Sequence, residues 1–139
     1  MKALLCRAFG PIDTLKVEEV PSPVPGAGKV LIDVKSAAIN FPDALIVQGL
    51  YQSRPELPFS PGSELAGVVA AVGEGVANVR VGDRVIALVG SGGFAEECLA
   101  DAHQVLPLPA GMDFDLGAAF VLTYGTSLHA LQKIAKLQA

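Results

Sequence analysis

Residues 62–99 read GSELAGVVAAVGEGVANVRVGDRVIALVGSGGFAEECL, and this stretch decides the fold. Glu64 to Val72 is an apolar strand interrupted by Gly67, and Gly73-Glu-Gly75 makes a turn. Val81-Gly-Asp-Arg84 is a tight turn that feeds a strand from Val85 to Val89. Gly90-Ser-Gly-Gly93 turns the chain again into a strand from Phe94 to Leu99, and Val105 to Gly111 closes the region. Short strands with Gly and Pro at every corner predict a barrel or sandwich.

The flanks extend this pattern. Upstream, Ala3 to Phe9 and Leu15 to Val20 read as strands, and Pro21 to Gly28 is a Pro/Gly loop. Val30, Ile32 and Val34 alternate on one face of a further strand, with Asp33 on the other. Residues 39–50 read as one helix. Asn40 is its expected cap, Pro42 suits the first turn, Asp43 favours the positive end of the helix dipole, and Gly49 stops it. Leu50 to Pro61 holds three prolines and reads as an ordered loop. Downstream, Asp113 caps a short helix through Ala118 and Ala119. A second helix is expected from Thr126 to Gln138, with Leu128, Leu131, Ile134, Ala135 and Leu137 near helical spacing. The chain then stops with no Gly, Pro or polar tail, which reads as an interruption. The fold class is thus mainly β with short helices.

Composition narrows the function classes. Ten Lys plus Arg stand against fourteen Asp plus Glu in 139 residues, a formal net charge of −4. That balance gives no electrostatic reason for a nucleic-acid partner. Apolar residues make up 51% and charged residues 17%, the reverse of a disordered chain. No run is long and apolar enough to cross a bilayer, and the start is too short in apolar residues for a secretory signal. With only Cys6 and Cys98, far apart, a reduced, cytoplasmic setting is the expectation. The cysteines offer no CxxC pair, and His103 and His129 have no His or Cys at ligand spacing nearby, so no metal site is expected. The high apolar fraction in so short a chain points to surface meant for another domain or subunit.

Candidate chemistry is sparse. Gly26-Ala-Gly-Lys29 lacks the Ser/Thr and upstream Gly of a phosphate loop, and Gly73-Glu-Gly75 meets Asn78 where a dinucleotide fingerprint needs Gly. No GxGxxG occurs, and Ser63 and Ser127 lack a nucleophile-elbow context. Asp43 and Glu64 are candidate cleft carboxylates that composition alone reads as a cap and a surface charge. Asn40 and Tyr51 flank one helix, and an amide and a phenol can both donate to a substrate carbonyl oxygen. The plainer reading of this pair is a helix cap and a half-buried loop tyrosine.

Four segments occur in order: Asn40-Phe-Pro-Asp-Ala-Leu-Ile-Val-Gln-Gly-Leu-Tyr51, Leu57-Pro-Phe-Ser-Pro-Gly-Ser-Glu-Leu-Ala-Gly-Val-Val69, Val72-Gly-Glu-Gly-Val76 and Val81-Gly-Asp-Arg-Val85. With Ala118-Ala-Phe-Val-Leu-Thr-Tyr-Gly-Thr-Ser-Leu-His-Ala-Leu131, the set resembles the quinone oxidoreductase branch of the medium-chain dehydrogenase/reductase superfamily. The resemblance implies a GroES-like β-barrel catalytic domain over residues 1–122. Residues 123–139 would lead into a Rossmann domain for NADPH that is absent from this chain, as is the family's closing C-terminal segment. Zinc-dependent relatives carry Cys where Asn40 stands and His where Ser63 stands, both far better zinc ligands. Zinc-free hydride transfer to a quinone or enone is therefore implied. By the same resemblance Asn40 and Tyr51 would hold the substrate oxygen, and Asp43 and Glu64 would orient or support. Thr126 or Thr123 would contact the nicotinamide or its ribose, with Tyr124 and Gly125 shaping a bend. Two other readings are an enoyl-thioester reductase domain and a non-catalytic GroES-like binding module. A homodimer would have to use a surface other than the missing cofactor domain.

Overall fold

The computed structural model describes residues 1–138. The strands are β1 (Lys2–Leu5), β2 (Lys16–Glu19), β3 (Lys29–Ala38), β4 (Glu64–Val72), β5 (Arg84–Leu88), β6 (Glu97–Asp101) and β7 (Val105–Pro107). Five of them form one antiparallel sheet in the order β6-β3-β4-β5-β7, and β1 and β2 pair separately. The helices are α1 (Phe41–Val47), α2 (Phe114–Ala118) and α3 (Val121–Leu128). The architecture is mainly β with short helices, as the turn-rich sequence predicts.

The β3–β4 pairing positions the site. Val30 opposes Val72 at one end and Ala38 opposes Glu64 at the other, with register shifts between Leu31 and Ile32 and between Val34 and Ser36. Glu64 is thereby delivered two residues short of Asn40. The alternation in β3 has its expected consequence. Val30 and Ile32 are fully buried with Leu65, Val69, Val85 and Ala87, and Val34 packs against this core. A smaller cluster of Cys6, Ile46, Val47 and Phe59 holds α1 down, with Tyr51 packed against it. Burial pushes the Cys98 thiol up to about 12, so it stays protonated and inert at neutral pH.

Several expected boundaries move. The first strand ends at Leu5 instead of Phe9, because Cys6 leaves β2 to exchange backbone hydrogen bonds with Phe59 at 2.8 and 3.1 Å. The strand expected from Phe94 begins at Glu97. Phe94 and Glu96 are instead bonded to β1, through Leu4 N–H to Phe94 O and Glu96 N–H to Lys2 O, each 2.9 Å. The last strand stops at Pro107. The helix expected at Thr126–Gln138 is corrected more deeply. It starts at Val121, runs to Leu128, and continues as a π-helical stretch from His129 to Ile134. Tyr124 and Gly125 therefore lie inside a helix and do not form a bend. The reason is the cap: Glu64 accepts the Leu122 N–H at 2.7 Å, supplying from β4 what the local sequence lacks at Phe120. The stripe of Leu128, Leu131, Ile134 and Leu137 is exposed. Ala139 lies outside the described residues.

Candidate functional site

The site grows from two adjacent residues on β4 and its approach. Gly62 has φ +96°, and a Cβ there would sit 2.7 Å from the Phe94 backbone nitrogen and 2.6 Å from its ring. Only glycine fits, and the chain is pinned on both sides by Gly93 N–H to Gly62 O at 2.9 Å and Val89 N–H to Ser63 O at 2.8 Å. Ser63 and Glu64 then project to different partners.

Ser63 Oγ donates to Asp43 Oδ1 at 2.9 Å, and Asp43 Oδ2 accepts the Asn40 backbone N–H at 2.7 Å. The first turn of α1 is thus capped by a carboxylate three residues in. Asn40 is the N-cap of α1 and forms a capping box with Asp43, although its side chain makes no cap hydrogen bond of its own. Its Nδ2 donates instead to Glu64 Oε2 at 3.3 Å, while Glu64 Oε1 takes the Leu122 N–H at 2.7 Å. Asp43 and Ser63 are buried, and Glu64 is 0% exposed. A carboxylate removed from water costs several kcal/mol unless its oxygens are satisfied. Here two N–H donors and the positive end of α3 supply that compensation.

Asn40, Asp43 and Glu64 are therefore brought together. The Leu122 N–H joins them, and so does Ser63, which the sequence alone offers only as a nucleophile without an elbow or a poor zinc ligand. The legible signal was its place beside Glu64 on an extended chain, where neighbours face opposite sides. Tyr51 is not part of this network. It lies beyond the far end of α1, a helix about 10 Å long, with its ring against the Cys6 cluster. Thr123, Gly125 and Thr126 are exposed on α3, directly after the residue that Glu64 holds. The Thr123 hydroxyl is spent on Ala119 O at 2.8 Å. A Cβ on Gly125 would meet nothing within 4 Å.

The donor set is a poor one for a metal. Asn40 and Ser63 flank the two carboxylates, whose oxygens already accept N–H and O–H bonds. Among the described residues no group of three or more His, Cys, Asp or Glu is placed to hold a metal ion. No described helix is long and apolar enough to cross a membrane.

Known proteins match this chain over most of its length. The alcohol dehydrogenase GroES-like domain matches residues 26–110. The synaptic vesicle membrane protein VAT-1 homolog of Rattus norvegicus is 39% identical over 99% of this chain and 35% of its own length. A quinone oxidoreductase of Lama guanicoe is 41% identical over 94% of this chain and 40% of its own length. The crystal structure of Escherichia coli quinone oxidoreductase complexed with NADPH superposes with a TM-score of 0.91 at 30% identity, over 96% of this chain and 41% of that one. The chain thus spans at most about two fifths of the length of these relatives. The chain belongs to the alcohol dehydrogenase GroES-like domain family.

Proposed function

We propose that residues 1–122 are the substrate-side domain of an NADPH-dependent quinone oxidoreductase that works without zinc, with residues 123–139 leading towards a nucleotide-binding domain. The observation that carries this reading is the Asn40 amide, whose Nδ2 is held by Glu64 at the root of an exposed helix. Hydride addition to a conjugated carbonyl leaves negative charge on its oxygen, and aimed N–H and O–H donors stabilise that charge. Asn40 has one N–H left after its bond to Glu64. Tyr51 lies past the far end of α1 with its ring against the Cys6 cluster, so it would meet a bound substrate at a different point from the Asn40 amide. Asp43 and Ser63 keep the first turn of α1 in place. Where zinc would polarise the oxygen, neutral Asn40 and Ser63 stand, and amide donation replaces a Lewis acid. The compartment that fits the sparse, buried cysteines is the cytoplasm, and the partner is a small quinone or enone.

Helix α3 fits a bound nucleotide. A mid-helix glycine costs about 1 kcal/mol relative to alanine, and among the described residues nothing lies within 4 Å of a Cβ at Gly125 to require one. A ligand pressed against the helix backbone would require it, and Thr126 beside it offers an exposed hydroxyl. NADPH, when bound, supplies the hydride. In this reading most of its binding surface lies outside these 139 residues, and the complete enzyme is the object to assay.

Gly125→Ala separates the two demands. Its unfolding midpoint is expected to rise, by about 0.5–1 kcal/mol of added stability, while the complete enzyme binds NADPH more weakly. Calorimetric titration with NADPH beside thermal melts reads both. Unchanged NADPH affinity in the stabilised variant contradicts a nucleotide seated on α3.

A further inference from the structure

We propose that Glu64 is a positioning residue that fixes which way the Asn40 amide faces and ties that orientation to the first turn of α3. The proposal rests on the reading of Asn40 as a substrate-oxygen donor, and its test separates the two.

The argument begins with what each group can do. An ionised carboxylate only accepts hydrogen bonds, and a side-chain amide has one accepting end and one donating end. Asn40 Nδ2 lies 3.3 Å from Glu64 Oε2. Glu64 is fully buried, so no water can mediate a different pairing. Turning the amide over would set two acceptors against each other away from solvent, with nothing to offset the contact. The donating end therefore faces Glu64, and the amide has one orientation in place of two.

The second oxygen adds the link. Glu64 Oε1 holds the Leu122 N–H at 2.7 Å. Leu122 is the second residue of α3, one before Thr123. The two carboxylate oxygens are rigidly joined, so the α3 turn and the Asn40 amide are referenced to the same small group. The register of β3 on β4 places that group, since Ala38 opposes Glu64. Substrate-side and nucleotide-side elements are aligned through one buried side chain, which itself touches neither ligand.

Glutamine at this position has the same shape and a different pattern. It offers one acceptor and one donor. It can satisfy Leu122 N–H or Asn40 Nδ2, and it then presents an NH₂ to the other donor. Either Asn40 turns over or Leu122 loses its partner.

The test uses amide exchange in this chain and a kinetic cycle in the complete enzyme. The chain has two asparagines, Asn40 and Asn78, so the side-chain signals are readily assigned. In the native chain one Asn40 Nδ2 proton and the Leu122 N–H are expected to be protected from exchange. In Glu64→Gln at least one of them exchanges about ten-fold faster or more, while the β3–β4 amides keep their protection. In the enzyme, Glu64→Gln is expected to lower kcat for quinone about ten- to a hundred-fold. Added to Asn40→Ala it lowers kcat no further, because a residue acting through another has nothing left to act on. Unprotected Asn40 Nδ2 protons in the native chain overturn the proposal even if the variant fails to fold. So do additive losses in the cycle, or protection that changes only in step with the whole sheet. If Asn40→Ala leaves turnover intact while the exchange results hold, the donor reading of Asn40 fails and the Glu64 link stands.

Discussion

Asn40→Ala is expected to lower kcat/KM for quinone reduction by the complete enzyme about 10²–10³-fold, the cost of removing one aimed donor from an oxyanion site. The fold should survive. The first turn of α1 is capped by the Asp43 carboxylate on the Asn40 backbone N–H, and alanine keeps that N–H. What alanine removes is the Nδ2 bond to Glu64 Oε2. One buried oxygen is left short of a partner, a loss of about 1–3 kcal/mol of stability. Asn40→Asp discriminates further. It sets a second carboxylate against buried Glu64, and like charges at hydrogen-bond range repel strongly where water is excluded. Asp at position 40 is therefore expected to destabilise more than Ala, although it is closer to Asn in shape. Stopped-flow kinetics and denaturant melts on the two variants check both halves. A kcat/KM within two- or three-fold of the native value in the folded Asn40→Ala enzyme would remove Asn40 from the chemistry.

Gly67→Ala is expected to have the largest effect on stability. Gly67 sits in the middle of β4, opposite Val34 on β3 and Val85 on β5. A Cβ there would run into the Asp33 backbone carbonyl and approach Ile32 Cγ2 at 2.8 Å. The obstruction is backbone in a central strand, which cannot rotate away as a side chain does. The strands must separate, and overpacking of this kind costs about 3 kcal/mol or more. For a chain of this size that is a fall of about 10 °C in the unfolding midpoint. The consequence reaches the site, because the β3–β4 register is what sets Glu64 beside Asn40. Circular-dichroism melts with Gly75→Ala as a control separate the causes. Gly75 has φ +79° but open space around it, so its strain is conformational alone. A Gly67→Ala midpoint no lower than that of the control would contradict the crowding argument.

These effects show which parts of the molecule the sequence makes legible. Local signals did well where the determinant was local. Alternating Val30, Ile32 and Val34 marked a core-facing strand, and Asp113 capped the short α2 helix through Leu116 N–H at 2.7 Å. Gly67 read as an interruption in a strand. Its physical meaning, a close approach of β3, depends on a partner strand about thirty residues earlier. The start of α3 was misplaced by five residues because its cap is Glu64, 58 positions away in the chain. The same distance hid the site. Asn40 is the N-cap of α1, as its local sequence suggests, but Asp43 takes its backbone N–H and its Nδ2 turns to Glu64, 24 residues away. Ser63 looked inert outside a nucleophile motif, yet it holds the carboxylate that does the capping. Each side chain had a plain local reading, and long-range register gave it a different partner.

The most direct measurement is NADPH oxidation by the complete enzyme with a simple quinone, run with and without a strong zinc chelator. Sustained, chelator-insensitive turnover is the predicted result of the proposal that the Asn40 amide takes the place of a metal at the substrate oxygen. Turnover abolished by the chelator and restored by zinc would contradict the account, and so would oxidation that no quinone or enone supports.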